Sequence, residues 1–262
     1  MDRAKINEVL DRYVDMEVTA GSRRDEYPFW SFLSSARDTV FGEYVEDKSL
    51  SFEENRAKEY SFLQDPDKMQ KIRATLKADL HEKDLSEILL QTQYNYDNDY
   101  RISLLRDIKG YMSADEFAGL LGHLMQRCTG DFSPKYVSKE EFLSWLGACN
   151  PQALMSKADY EEYLFFFPEG TDVEVYRGTD QVDDLEPSDC FIWTTNPHLV
   201  ANPGREGEFF TGVSGYAADI RREDVFGYFP DHDSMVFVNP DKLRNVRDVD
   251  FPTEFPPEED EE

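Results

Sequence analysis

The spacing of the apolar residues changes near Pro168, and no single type of secondary structure accommodates both halves. Upstream, Ile6, Val9, Leu10, Tyr13 and Val14 recur at the i, i+3, i+4, i+7, i+8 positions that line one face of a helix. Phe117, Leu120, Leu121, Leu124 and Met125 repeat the pattern. Ser113-x-x-Glu116 and Ser138-x-x-Glu141 are capping boxes, in which a serine oxygen and a glutamate carboxylate satisfy the free N–H groups of a helix start. A further helix is predicted to carry Tyr160, Tyr163, Leu164 and Phe167 into Pro168. Downstream, short apolar runs bounded by Gly, Pro, Asp and Asn predict strands. They fall at Val173–Tyr176, Cys190–Thr194, Glu208–Thr211, Tyr216–Ile220, Met235–Val238 and Leu243–Val249, with a helical turn opening the stretch from Arg222 to Phe229. The expected fold class is α+β: a helical domain over 1–168, then a mixed α/β domain with antiparallel strands over 169–250. Residues 251–262 hold three prolines and six acids with no base, which predicts a disordered acidic tail.

Charge narrows the partners. The 262 residues include 28 Lys+Arg and 55 Asp+Glu, a net charge of −27. Residues 1–168 hold 21 basic and 31 acidic side chains, and residues 169–262 hold 7 and 24, so the shorter half carries the greater excess. Nucleic-acid binders gain affinity by neutralising phosphates with Lys and Arg, so this balance works against nucleic acid. It equally disfavours an anionic membrane surface, and it suits a protein target or basic partner. With 19 Phe, 14 Tyr and 3 Trp the chain has material for a substantial core. Cys128, Cys149 and Cys190 form no CxxC pair and no cluster with histidine, so neither a zinc site nor a disulfide scaffold is expected. The first residues lead into an amphipathic helix rather than the apolar run of a signal peptide, which fits a cytoplasmic setting.

Asp131 to Glu141 superficially suggests a calcium loop. With Glu141 in the last ligand position, however, the early ligand positions fall on Gly130, Phe132 and Pro134, which cannot chelate. The capping box accounts for the segment instead. His81, His123, His198 and His232 are scattered, and there is no serine nucleophile elbow, phosphate-binding loop or GxGxxG. The informative stretch is Glu174-Val175-Tyr176-Arg177-Gly178. Strand alternation puts Arg177 on the face of Val173 and Val175, where a guanidinium requires a partner. A buried carboxylate and a bound phosphate or carboxylate ligand both meet that requirement.

Tyr176-Arg177-Gly178 resembles the first motif of the ADP-ribosyltransferase fold, in its Arg–Ser–Glu branch. Phe191-Ile192-Trp193-Thr194-Thr195-Asn196-Pro197, followed by Val200-Ala201, is similar to the second motif of bacterial and phage members. Tyr216-Ala217-Ala218-Asp219-Ile220 and Asp224-Val225-Phe226-Gly227-Tyr228-Phe229 resemble the segment that follows. Asp233-Ser234-Met235-Val236-Phe237-Val238-Asn239-Pro240 stands where the family has Glu-x-Glu, an apolar strand and Asp-Pro or Asn-Pro. Order and spacing agree over about residues 171–250.

The resemblance implies NAD as substrate, held by Arg177 and Gly178 with Thr194 or Thr195 nearby and an aromatic such as Phe209, Phe210 or Tyr216 over the nicotinamide. It also implies two departures. The family's serine falls at Ile192, and its catalytic glutamate, which stabilises the cationic ribose as nicotinamide leaves, falls at Met235. The nearest carboxylate on that strand face is Asp233, the candidate catalytic residue. Two functions follow: an ADP-ribosyltransferase-like protein that binds NAD and transfers ADP-ribose or hydrolyses NAD weakly, or a catalytically silent acidic protein that engages a basic partner.

Overall fold

A computed structural model describes residues 1–20, 47–63, 65–91, 98–126, 137–178, 186–200, 214–232 and 234–250. The expected strand at 208–211 and the acidic tail at 251–262 lie outside these residues. The fold is α+β, and packing divides the chain into two units, 1–120 and 121–262. The change of apolar period at Pro168 therefore falls within the second unit, whose helices pack with its sheet.

The first unit is helical. Helix α1 (Arg3–Ala20) buries Ile6, Val9, Leu10, Tyr13, Val14 and Val18, the stripe that its spacing predicts. Helix α2 (Phe52–Leu63) starts at a capping box: Ser51 N–H donates to Glu54 at 2.8 Å, and Glu54 N–H donates back to Ser51 Oγ at 3.3 Å. Helix α3 (Pro66–Glu82) is capped by Asp65, with Pro66 where a missing N–H costs nothing, and packs Met69, Ile72, Leu76 and Leu80 against α1. At its other end the Arg3 guanidinium donates to the carbonyls of Leu80, His81 and Lys83 at 2.7–3.1 Å, satisfying oxygens that a helix end leaves open. Helices α4 (Leu85–Gln91) and α5 (Asn98–Ile108) follow. Tyr13 of α1 reaches Ser103 and Asp107 of α5 at 3.1 Å, and burial pushes its phenol up to about 12.

Helix α6 (Ala114–Gln126) opens on the predicted box, with Ser113 N–H to Glu116 at 2.8 Å and Glu116 N–H to Ser113 Oγ at 3.3 Å. Leu121, Leu124 and Met125 are buried, whereas Phe117 and Leu120 are half-buried. In the second unit, helix α7 (Lys139–Ala148) is capped by Ser138 Oγ, which accepts from Glu141 N–H at 3.2 Å. Helices α8 (Pro151–Leu154) and α9 (Lys157–Phe166) follow. Helix α9 buries Tyr163 and the residue just after it, Phe167, beside β4 (Val225–Phe229). Leu164, expected in the same stripe, points away and is 40% exposed, because it sits a quarter turn from Tyr163.

The remaining strands are β1 (Asp172–Gly178), β2 (Ile192–Thr194), β3 (Ser214–Arg221), β5 (Met235–Val238) and β6 (Arg244–Asp250), with a short helix α10 (Pro197–Val200) after β2. They form one antiparallel sheet in the order β4-β5-β2-β1-β3-β6. The helical turn expected to open 222–229 is limited to Arg222–Asp224, and a strand then takes over. That strand exists because Val225, Tyr228 and Phe229 are buried while β4 pairs with β5. Every residue of β2 and β5 is buried, so both faces of this half of the sheet are covered. Strand β6, at the other edge, is mostly exposed.

Two glycines of α6 give a paired stability test. A Cβ on Gly122 would lie 1.9 Å from the Leu154 carbonyl oxygen, whereas one on Gly119 meets nothing within 4 Å. Gly119→Ala is expected to stabilise by about 0.5–1 kcal/mol through helix propensity. Gly122→Ala is expected to cost about 1–3 kcal/mol, because backbone has to move. Urea unfolding of the two variants checks both signs.

Candidate functional site

The segments that resemble the first, second and last motifs occupy adjacent strands, with β5 beside β2 and β2 beside β1. Thr194 stands opposite Met235 on one side and opposite Tyr176 on the other. Residues opposite one another in an antiparallel pair share a face, so Tyr176, Thr194 and Met235 form one row. Arg177 alternates to the other face, where it stands opposite Tyr216 of β3. Gly178 is buried opposite Gly215. A Cβ on Gly215 would fall 2.0 Å from the Arg177 carbonyl oxygen, so glycine is what lets β3 lie against β1 here.

Strands β1 and β2 pair at the single position Tyr176–Thr194. Beyond it the half-buried Arg177 guanidinium takes part in joining them, its Nη1 donating to the Ile192 carbonyl oxygen at 2.8 Å. On the other side of β2, Thr194 Oγ1 donates to the Ser234 carbonyl at 3.4 Å and accepts Asn196 N–H at 3.1 Å. Thr195 N–H donates to the same Ser234 carbonyl at 3.1 Å. Ser234 adopts a left-handed conformation (φ 52°) at the end of the β4–β5 turn, and that turn is closed by Met235 N–H donating to the His232 carbonyl at 2.9 Å.

The sequence-derived residues therefore separate. Arg177 and Tyr216 come together on one face. Thr194, fully buried, aligns with Met235 on the opposite face, and Thr195 stands just past the strand end. Asp233, the candidate catalytic carboxylate, and the candidate aromatics Phe209 and Phe210 lie outside the described residues. Ile192 is buried opposite Phe237, and Met235, 2% exposed, stands opposite Phe229 as well as Thr194. Both side chains belong to the core.

One group escapes a reading of the sequence. Glu174 accepts a hydrogen bond from Tyr176 and pairs with Arg247 of β6. Alternation does place Glu174 and Tyr176 on one face, but Arg247 arrives only through the register of β6 on β3. The hydrogen bond from Tyr176, with help from Arg247, holds the Glu174 carboxylate below its ordinary range. Burial, and then Glu174, push the Tyr176 phenol up to about 12. Among the described residues no group of three His, Cys, Asp or Glu side chains is placed to hold a metal ion. No helix among them is long and apolar enough to cross a membrane.

Comparison with family models, curated proteins and solved structures returns no match to the chain.

Two outcomes are expected from this geometry. Met235→Glu puts a carboxylate into a buried apolar row and is expected to cost about 3 kcal/mol or more. Met235→Leu preserves volume and is expected to cost less than about 1.5 kcal/mol in the same denaturation measurement. The Tyr176 phenol titrates near 10 when unfolded and near 12 when folded, so its stabilising contribution is complete below pH 10 and is lost as the pH rises towards 12. Tyr176→Phe is expected to flatten the alkaline decline in Tm over that window, and near-ultraviolet absorbance should lose one late-titrating tyrosine.

Proposed function

We propose that the second unit is an ADP-ribosyltransferase-like NAD-binding domain with Arg177 as the diphosphate anchor. The observation that carries this reading is the position of Arg177. It is a half-buried arginine where β1 and β2 part, with an aromatic, Tyr216, directly opposite on the neighbouring strand. A guanidinium offers a planar, permanently charged fork that suits a diphosphate, and an aromatic ring beside it offers a surface for a flat heterocycle. The acidity of the chain supports the same reading: residues 169–262 hold seven bases in all, so diphosphate recognition has to be concentrated in one or two arginines.

Catalysis under this reading rests on Asp233. Departure of nicotinamide leaves positive charge on the ribose, and a preorganised group of opposite charge is commonly worth about 3–4 kcal/mol in such a transition state. Met235 lacks that charge, and Asp233 has a shorter arm than glutamate and stands two residues away, so turnover is slow. The burial of Met235 and Ile192 favours a second reading, in which the domain binds without catalysing and the chain acts as an acidic interaction protein.

Calorimetric titration with NAD of the wild type, Arg177→Lys and Arg177→Ala tests the first reading. The alanine variant is expected to lose about 2–3 kcal/mol of binding, roughly 30- to 150-fold in Kd, with lysine in between. Thermal unfolding of each variant separates this loss from loss of the bond to Ile192. Equal affinity in a folded Arg177→Ala protein would falsify NAD anchoring. Nicotinamide release that disappears in Asp233→Asn supports turnover. Binding without any release supports the non-catalytic reading.

A further inference from the structure

The outer side of α9 carries large apolar side chains near its C-terminal end. Leu164 and Phe165 are 40% and 86% exposed, although Tyr163 and Phe167 beside them are buried and the Phe166 ring turns inward against Phe167 and Tyr228. Glu161 and Glu162 precede Phe165 and Phe166 by one helical turn and are exposed, and exposed Glu169 follows the helix end. Lys157 lies 3.7 Å from Glu161 and is itself almost fully exposed, so a partner's bases can compete with it, whereas Glu169 is held by Arg222 at 3.1 Å. The surface is thus an exposed phenylalanine and leucine flanked by carboxylates.

Charge selects what covers it. A second copy would bring another net −27 to the same face, and long-range repulsion opposes that encounter. Nucleic acid and anionic lipid are disfavoured by the same sign of charge. From this combination we infer that the α9 face docks a basic amphipathic segment of a partner protein. Its apolar side chains cover Leu164 and Phe165, and its Lys or Arg side chains meet Glu161 and Glu162. Aromatic anchors ringed by polar groups are the usual energetic centre of such interfaces. The inference is independent of NAD binding at Arg177, which involves none of these residues.

The test uses the full chain and a fluorescein-labelled synthetic helical peptide of leucine and lysine, followed by anisotropy. A peptide of the same composition, shuffled to remove its apolar face, serves as control. The amphipathic peptide is expected to bind more tightly than the shuffled one, and binding should weaken with salt. Leu164→Ser/Phe165→Ser is expected to weaken it by about tenfold or more, given the apolar area those side chains would bury. Glu161→Gln/Glu162→Gln should weaken it several-fold, while Phe52→Ser, at an exposed aromatic of α2, leaves it unchanged. These are surface positions, so matched thermal unfolding is expected. Absence of peptide binding, equal binding of the shuffled peptide, or full binding by the Leu164→Ser/Phe165→Ser protein overturns the inference. So does self-association of the wild type, or its capture by phosphatidylcholine vesicles, if those two substitutions abolish it.

Discussion

The sheet of the second unit passes through a strand of three residues, Ile192–Thr194, which joins the β4–β5 half to the β1–β3–β6 half. Towards β5 it pairs along its whole length, but towards β1 it pairs at Thr194 alone. A seam this short leaves backbone groups that need other partners, since buried carbonyls and N–H groups are costly when unmet. The Ile192 carbonyl finds the Arg177 guanidinium. A side chain thus takes part in completing a junction that backbone pairing only begins, and it is the arginine of the first motif-like segment.

That junction has consequences on both faces. On the side of Tyr176, Thr194 and Met235, the row runs from a half-buried phenol into fully buried core, where a charge lacks solvation. On the other side, Arg177 stands with Tyr216, and the near contact of β3 with β1 depends on Gly215 having no side chain. Polar chemistry therefore concentrates at the parting of β1 and β2, while the last motif-like segment contributes packing through Met235, Val236, Phe237 and Val238.

Much of the helical half was legible because each signal was local. The stripe from Ile6 to Val14, the box at Ser113 and the serine cap at Ser138 act within one or two turns, so their spacing alone specifies the helix. The same local signal at Ser51–Glu54 would have revealed α2. The strand at Val225–Phe229 was less legible, since charged residues precede it and Gly227 interrupts it; its extended form comes from pairing with β5. Leu164 misled as well. Its spacing admits it to the apolar stripe, but it lies a quarter turn from the buried Tyr163 and so stays exposed.

For the candidate site, the sequence by itself determined residue type and strand alternation: Arg177 on the face of Val173 and Val175, and Glu174 with Tyr176 on the other. It also determined the acidity that limits partners, because charge is a sum over residues and needs no fold. Tertiary structure alone decided that Arg177 meets the Ile192 carbonyl, that Tyr216 stands opposite it, that Arg247 reaches Glu174 and that Met235 is sealed in the core. Each of these depends on which strands become neighbours and in what register. Those choices are made by burial over the whole sheet, and no local window of sequence contains them.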